Sequence, residues 1–236
     1  MKNAVLTFDC YGTLIDWERG IREAFARALA GDGLRRDPRQ VLEAYAEIEP
    51  TLEAPPYRSY REVLTSAAMD VARRLGWKLS NDRAGFLAES LPAWTPFADT
   101  NPALRRLSAA GLRLGILSNV DEDLLRRTLR HLEAHFDLIV TAEQVRSYKP
   151  AHGHFLAARS RIAGARSWLH AAQSDFHDVA PARALGIPVA WINRKREPMG
   201  DSGPPDLEFE NLTELADWVE GSGVESLPIR KEPRPV

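Results

Sequence analysis

The 236-residue chain has one cysteine (Cys10), three methionines and no long apolar run. A single thiol cannot close an internal disulfide, which points to a reducing compartment. No stretch approaches the ~20 apolar residues of a membrane-spanning helix. No leader separates Met1-Lys2-Asn3 from the first apolar segment, so the expectation is a soluble cytoplasmic protein with no membrane partner. Neither sign of charge dominates: 31 basic and 33 acidic residues leave a formal net charge of −2. That balance predicts no nucleic-acid partner. Internal repeats and low-complexity segments are also missing. What is present is a 44% hydrophobic composition, enough for a sizeable core in one large or two small domains.

The chain opens with Ala4-Val5-Leu6-Thr7-Phe8, an apolar run that reads as a strand buried on both faces and stops at Asp9. Residues 17 to about 94 then carry helical periodicity. Ile21, Phe25, Ala28 and Leu29 mark a first helix, ended by Gly31-Asp32-Gly33. Val41, Leu42, Tyr45 and Ile48 mark a second from about Pro38 to Glu49, with Pro50 as its breaker. Val63, Leu64, Ala67, Val71 and Leu75 mark a third, and Phe86, Leu87 and Leu91 a fourth. After Pro92 and Pro96 the pattern changes to strands alternating with helices. Strands are expected at Leu112–Leu117, Leu138–Val140, Trp168–Ala172 and Pro188–Ile192, with a last helix over Leu212–Val219. Repeated strand–helix units imply a parallel sheet. The domain reading is therefore an α/β core of 1–16 and 95–222, an inserted helical domain of 17–94 and a flexible tail of 223–236.

Four segments put reactive or polar residues where strands stop. They are Asp9 with Cys10-Tyr11-Gly12-Thr13, then Ser118-Asn119, then Lys149 in Ser147-Tyr148-Lys149-Pro150, then Gln173-Ser174-Asp175 with Asp178. In a parallel sheet these ends converge on one edge, where ligands bind. Each has a plainer account: a turn aspartate, an N-cap, a solvated loop lysine, a cap for the helix at Val179. Nothing structural requires all four together, and their joint occurrence favours a site. Cys10 reads as packing, because no neighbour lowers its pKa. His177 reads more readily as a helix-start residue than as a base.

In order and spacing these motifs resemble the haloacid dehalogenase superfamily across its full core-plus-cap architecture. Asp9-Cys10-Tyr11-Gly12-Thr13-Leu14, the helical insert and Pro188-Val189-Ala190-Trp191-Ile192-Asn193-Arg194 resemble its 2-haloacid dehalogenase branch. The resemblance implies a Rossmann-like doubly wound α/β core with an inserted all-helical cap. It implies catalytic roles for Asp9 as nucleophile and for Thr13, Ser118, Lys149 and Asp178. It implies substrate-binding roles for Cys10, Tyr11, Asn119, Gln173 and Asp175. It further implies a small carboxylate substrate, no cofactor, no metal, a pocket near Trp17, Tyr45, Tyr57 and Tyr60, and a homodimer formed through the cap. The chain departs from that branch at Ala44, where a cap arginine receives the halide, leaving Arg58 or Arg61 as substitutes. It departs again at Phe155, where a tyrosine is usual, and at Gln173-Ser174-Asp175, where the branch carries serine-serine-asparagine.

Phosphatases of the superfamily carry a second aspartate two residues after the nucleophile, where this chain has Tyr11. Displacing halide from an sp³ carbon needs a carboxylate and no protonated leaving group, whereas alkoxide loss from a phosphoester benefits from a general acid. The leading expectation is hydrolytic dehalogenation of a 2-haloacid through an aspartyl ester. The alternatives are a Mg²⁺-dependent phosphatase, with metal at Asp9, Tyr11 and Asp178, and a non-catalytic binding protein on the same fold.

Overall fold

The computed structural model describes residues 3–200 and 203–222, so the tail expected over 223–236 lies outside the described residues. In chain order the elements are β1 (Ala4–Phe8), α1 (Trp17–Gly31), α2 (Pro38–Leu52), α3 (Tyr60–Arg74), α4 (Phe86–Ser90), α5 (Thr100–Ala109) and β2 (Arg113–Ser118). Then come α6 (Glu122–Thr128), β3 (Leu138–Thr141), α7 (Ala142–Val145), α8 (Gly153–Arg161), β4 (Ser167–Ala172), α9 (Ala180–Ala184), β5 (Val189–Ile192), β6 (Leu207–Phe209) and α10 (Leu212–Ser222). The chain divides into two units. Among the described residues, one holds those up to Ile15, Pro96–Asn119 and those from Arg130 on; the other holds Asp16–Thr95 and Val120–Leu129. Among the described residues no helix is long and apolar enough to cross a membrane.

The first unit is a six-stranded, all-parallel sheet in the order β3-β2-β1-β4-β5-β6. This is the doubly wound α/β arrangement expected from the alternation of strands and helices. Every residue of β1 and β4 is buried, so both faces of these central strands are covered and their sequences run apolar without alternation. Strand order reverses between β1 and β4, and that switch point is where such sheets open a crevice beyond their C-terminal ends. β6 was not legible in sequence, because its three residues include Glu208 and form the last strand of the sheet.

The second unit is helical. Buried Phe25 and Trp77 pack there with half-buried Phe86, their rings 5.1–6.4 Å apart. α2 does not stop before Pro50 as its sequence suggested; it runs to Leu52. Pro50 falls in the last turn, where little ladder follows for its missing N–H to interrupt. α3 begins with a capping box, in which Ser59 accepts from the Glu62 N–H and Glu62 accepts from the Ser59 N–H. Asp121 adds two acceptors at the same helix start, taking the N–H groups of Tyr60 and Arg61 at 2.8 and 2.9 Å. This contact accounts for the grouping of Val120–Leu129 with the helices.

Gly20 in α1 lies against Trp94, and a Cβ there would meet the indole ring at 2.3 Å. Gly20→Ala is expected to destabilise the protein by about 1–3 kcal/mol, the usual range for overpacking. Gly31→Ala, whose nearest neighbour would be 3.8 Å away, is the control and should leave the denaturation midpoint unchanged or slightly raised. Equal midpoints for the two variants would contradict this packing.

Candidate active site

The site is built on the sheet unit. β1 delivers Asp9, and the chain turns at Gly12, whose φ of 102° lies in the region that favours glycine. Leu14 and Ile15 donate back to the Cys10 carbonyl and close that turn. β2 ends in Ser118, β4 leads to Gln173, and Lys149 precedes the start of α8. Residues separated by up to 160 positions thus meet beyond neighbouring strand ends.

The Lys149 ammonium is the centre, 1% exposed. It donates to Asp9 Oδ1 at 2.9 Å, to Asp178 Oδ1 at 2.6 Å and to the Leu117 carbonyl at 2.9 Å. All three of its protons are therefore placed. Burial alone would lower its proton affinity, yet Asp178 and Asp9 reverse that, and the net effect is a raised lysine pKa. Burial would also push Asp178 up, but Lys149 and His170 overcome it and hold this carboxyl well below the usual range. Asp9 comes out on the other side. Burial raises it, Lys149 opposes, the Asp178 charge raises it again, and the net direction is up. Asp9 Oδ2 accepts from the Thr13 hydroxyl at 3.0 Å, and that hydroxyl accepts from the Gln173 N–H at 3.0 Å.

Two histidines that the sequence reading missed stand behind this trio. His170 Nε2 lies 2.9 Å from Asp178 Oδ1, and its Nδ1 lies 2.9 Å from the Thr7 hydroxyl. His154 donates from Nε2 to the Ser118 carbonyl at 3.1 Å. Burial and then the Lys149 charge push it down to about 3, so it is neutral. A titratable residue in the otherwise apolar run Trp168–Ala172 was the available signal for His170, since a buried polar group needs partners.

The other candidates divide by contact. Ser118 Oγ is buried with no hydrogen-bond partner among the described residues, a donor free for a ligand. Asn119 uses both ends of its amide on the Lys149 backbone, accepting from its N–H at 2.7 Å and donating to its carbonyl at 3.0 Å. It holds the lysine loop. Cys10 is fully buried, and burial followed by the Asp9 charge pushes its thiol up, as a packing residue requires. Tyr11 is half-buried on the turn, and Gln173 accepts from Trp191 Nε1 through its carbonyl. Asp175 opens a π-helical turn over Asp175–Val179 and is half-buried there. Asp178 does not cap the following helix; its carboxylate faces Lys149 and His170. His177 is tied through its N–H and ring to Ser174 Oγ, at 3.0 and 3.1 Å. In the helical unit, Ala44 is buried, Arg61 pairs with Asp123, and Arg58 donates to the Leu52 carbonyl.

The donor set does not suit Mg²⁺. Asp178 Oδ1 already accepts from Lys149 and His170, and both Asp9 oxygens are engaged by Lys149 and Thr13, which leaves the buried Asp178 Oδ2 as the one oxygen of these two carboxylates without a hydrogen-bond partner among the described residues. A hard cation needs several free oxygens facing one point. No cluster of three metal-binding side chains occurs among the described residues.

A family model for haloacid dehalogenase-like hydrolases matches residues 4–185. An (S)-2-haloacid dehalogenase of Pseudomonas putida is 29% identical over 228 residues, covering 94% of this chain and 99% of its own length. The L-2-haloacid dehalogenase of Xanthobacter autotrophicus, solved with chloropropionic acid covalently bound, superposes with a TM-score of 0.79 at 20% identity, covering 94% of this chain and 100% of that one. A hydrolase from Bacillus subtilis solved with bound magnesium also reaches 0.79, at 16% identity, covering 93% and 100%. At these identities the two structures establish a shared fold.

Asp178→Asn removes one of the two charges that balance a buried ammonium. It is expected to cost about 3–5 kcal/mol, the range for breaking a buried pair, read by denaturation at neutral pH. The folded pKa of Asp178 is depressed, so its contribution is present above the unfolded value of 3.8 and is lost as pH falls below it. The gap between wild type and variant should therefore be full above about pH 5 and close on further acidification. A gap that widens in acid would contradict the assigned charge.

Proposed function

The chain belongs to the haloacid dehalogenase-like hydrolases, and from that premise we propose that it replaces the halogen of a small 2-haloacid by hydroxyl. One observation carries this reading: a buried carboxylate, Asp9, is held at both oxygens by Lys149 and Thr13, while the position two residues on is Tyr11 and offers no carboxylic acid. Such a site presents a nucleophile without a proton donor for the leaving group, which suits halide and not alkoxide. The likeness to (S)-2-haloacid dehalogenases along nearly the whole chain supports the same choice.

The chemistry runs in two steps. An Asp9 oxygen attacks C2 from the side opposite the halogen, a C–O bond forms, and the C–X bonding pair leaves with the halide. The product is an ester of Asp9 with inverted configuration at C2. Water then adds to the Asp9 carboxyl carbon and expels the 2-hydroxyacid, which regenerates the carboxylate and releases one proton. Burial makes Asp9 a more basic and less solvated nucleophile than an exposed aspartate, and Lys149 opposes its protonation. The unpartnered Ser118 hydroxyl is the donor we assign to the substrate carboxylate. The single buried thiol is in keeping with a reducing compartment.

Halide release from L-2-chloropropionate should survive EDTA and fall by at least about 10³-fold in Asp9→Asn. A single turnover in heavy-oxygen water should place the label in Asp9, read by peptide mass. Its acid limb should lie above an ordinary aspartate's range, because the raised Asp9 must be ionised to attack. Absence of halide release from every 2-haloacid, with metal-dependent phosphate release instead, would overturn the proposal.

A further inference from the structure

Beneath the Asp9–Lys149–Asp178 trio a second line of hydrogen bonds runs into the sheet. The register of β1 and β4 sets Thr7 beside His170. Trp168 precedes His170 by two residues, so both side chains take the same face of β4. Trp168 Nε1 donates to Thr7 Oγ1 at 2.8 Å, and Thr7 Oγ1 lies 2.9 Å from His170 Nδ1. His170 Nε2 lies 2.9 Å from Asp178 Oδ1. Asp178 is the ionised member and can only accept, so the proton sits on Nε2 and points at it. Phe155 covers the imidazole edge-on, with centroids 5.2 Å apart and planes at 88°. Trp168 and His170 are completely buried, as is Thr7.

We propose that His170 is a positioning residue for the nucleophile: its Nε2–H shares the load on Asp178 Oδ1, so that Lys149 stays divided between Asp178 and Asp9 instead of being drawn wholly to Asp178. Thr7 and Trp168 hold the ring in the orientation this requires. The inference rests on reading Asp9 as the nucleophile, but its geometry does not depend on which substrate is attacked. Asp178 Oδ1 takes two donors, Lys149 and His170. With one removed, the remaining donor is pulled harder, and the loser is the 2.9 Å bond from Lys149 to Asp9. The charged and titratable groups around the two carboxylates are Cys10, Lys149, His154, His170 and His177, with Asp9 and Asp178 facing each other across the ammonium. The trio titrates as a unit, so the quantity to follow is the pH at which it takes up its first proton on acidification.

The test is carboxyl-carbon NMR of the full-length protein, with the two resonances assigned by their loss in Asp9→Asn and in Asp178→Asn. His170→Phe keeps a flat ring and removes the donor; the first protonation of the trio should move up by about one pH unit. His170→Gln, which can place an amide N–H near the Nε2 position, should return it most of the way. Thr7→Val, which frees the imidazole without removing it, should give a smaller shift in the same direction, and it carries the test if His170→Phe does not fold. A first protonation unmoved in His170→Phe, or in Thr7→Val where only that variant folds, overturns the proposal. So does a shift in His170→Gln as large as in His170→Phe, which would assign the effect to packing. The readout needs no substrate: a shift in a protein that releases no halide would uphold the role of His170 while removing the dehalogenase reading.

Discussion

Everything in the sheet unit's site depends on one buried ammonium. Burying an ion is expensive, by several kcal/mol even after the protein relaxes. Lys149 is tolerated only because each of its protons meets an acceptor: two carboxylates and the Leu117 carbonyl. The carbonyl is available because it lies next to the end of β2, close to where the ladder stops. The carboxylates are available because β1 and β4 end beside it. The lysine loop is fixed in turn by Asn119, which grips the Lys149 backbone from the residue after β2. Remove the lysine and two carboxylates face each other without a counter-charge. Remove either carboxylate and the ammonium is left underpaired.

That dependence runs through topology. Asp9, Ser118-Asn119, Lys149 and Asp178 are far apart in sequence, and a parallel sheet brings the C-terminal ends of β1 to β4, with the segments that follow them, to one edge. The reversal of strand order between β1 and β4 makes that edge a crevice and not a flat rim. Thr13 and Gln173 then stitch the two loops together across the switch point through one hydroxyl, which donates to Asp9 and accepts from the Gln173 N–H. The geometry of Asp9 is therefore set by backbone as much as by side chains.

Much of this could be read from sequence, and the parts that could not have a common cause. Asp9 and Ser118 stand where apolar runs stop, and polar residues at such places are conspicuous; Lys149 and Asp178 lie further on, past α7 and inside the π-helical turn after β4. Thr7, Trp168 and His170 stand inside apolar runs, where pattern reading assigns them to the core. They are in the core; their polar atoms are joined to each other there, and only the register of β1 on β4 reveals it. Asn119 was equally visible, but its partner is the Lys149 backbone, and periodicity says nothing about which distant loop an amide will grip. The run of α2 through Pro50 and the existence of β6 escaped for local reasons: a proline in a last turn does little damage, and a three-residue strand has too little pattern to detect.

Under the proposed reaction the arrangement gives a carboxylate that is both basic and ionised. A fully hydrated aspartate is a poor nucleophile because water already occupies its lone pairs. Burial strips that water from Asp9 and raises its basicity, but pushed far enough it would protonate the group and end the reaction. Lys149 supplies the opposing effect. A lysine dedicated to Asp9 alone would neutralise it too well, lowering its basicity along with its proton affinity. Here the ammonium is shared with Asp178, the shorter of the two contacts at 2.6 Å against 2.9 Å. Asp178 takes the larger part of the stabilisation and is held low; Asp9 takes the smaller and is left raised. The two carboxylates are chemically alike, and their opposite shifts follow from their surroundings: Lys149 and His170 together hold Asp178 down against burial, whereas at Asp9 burial and the Asp178 charge outweigh Lys149.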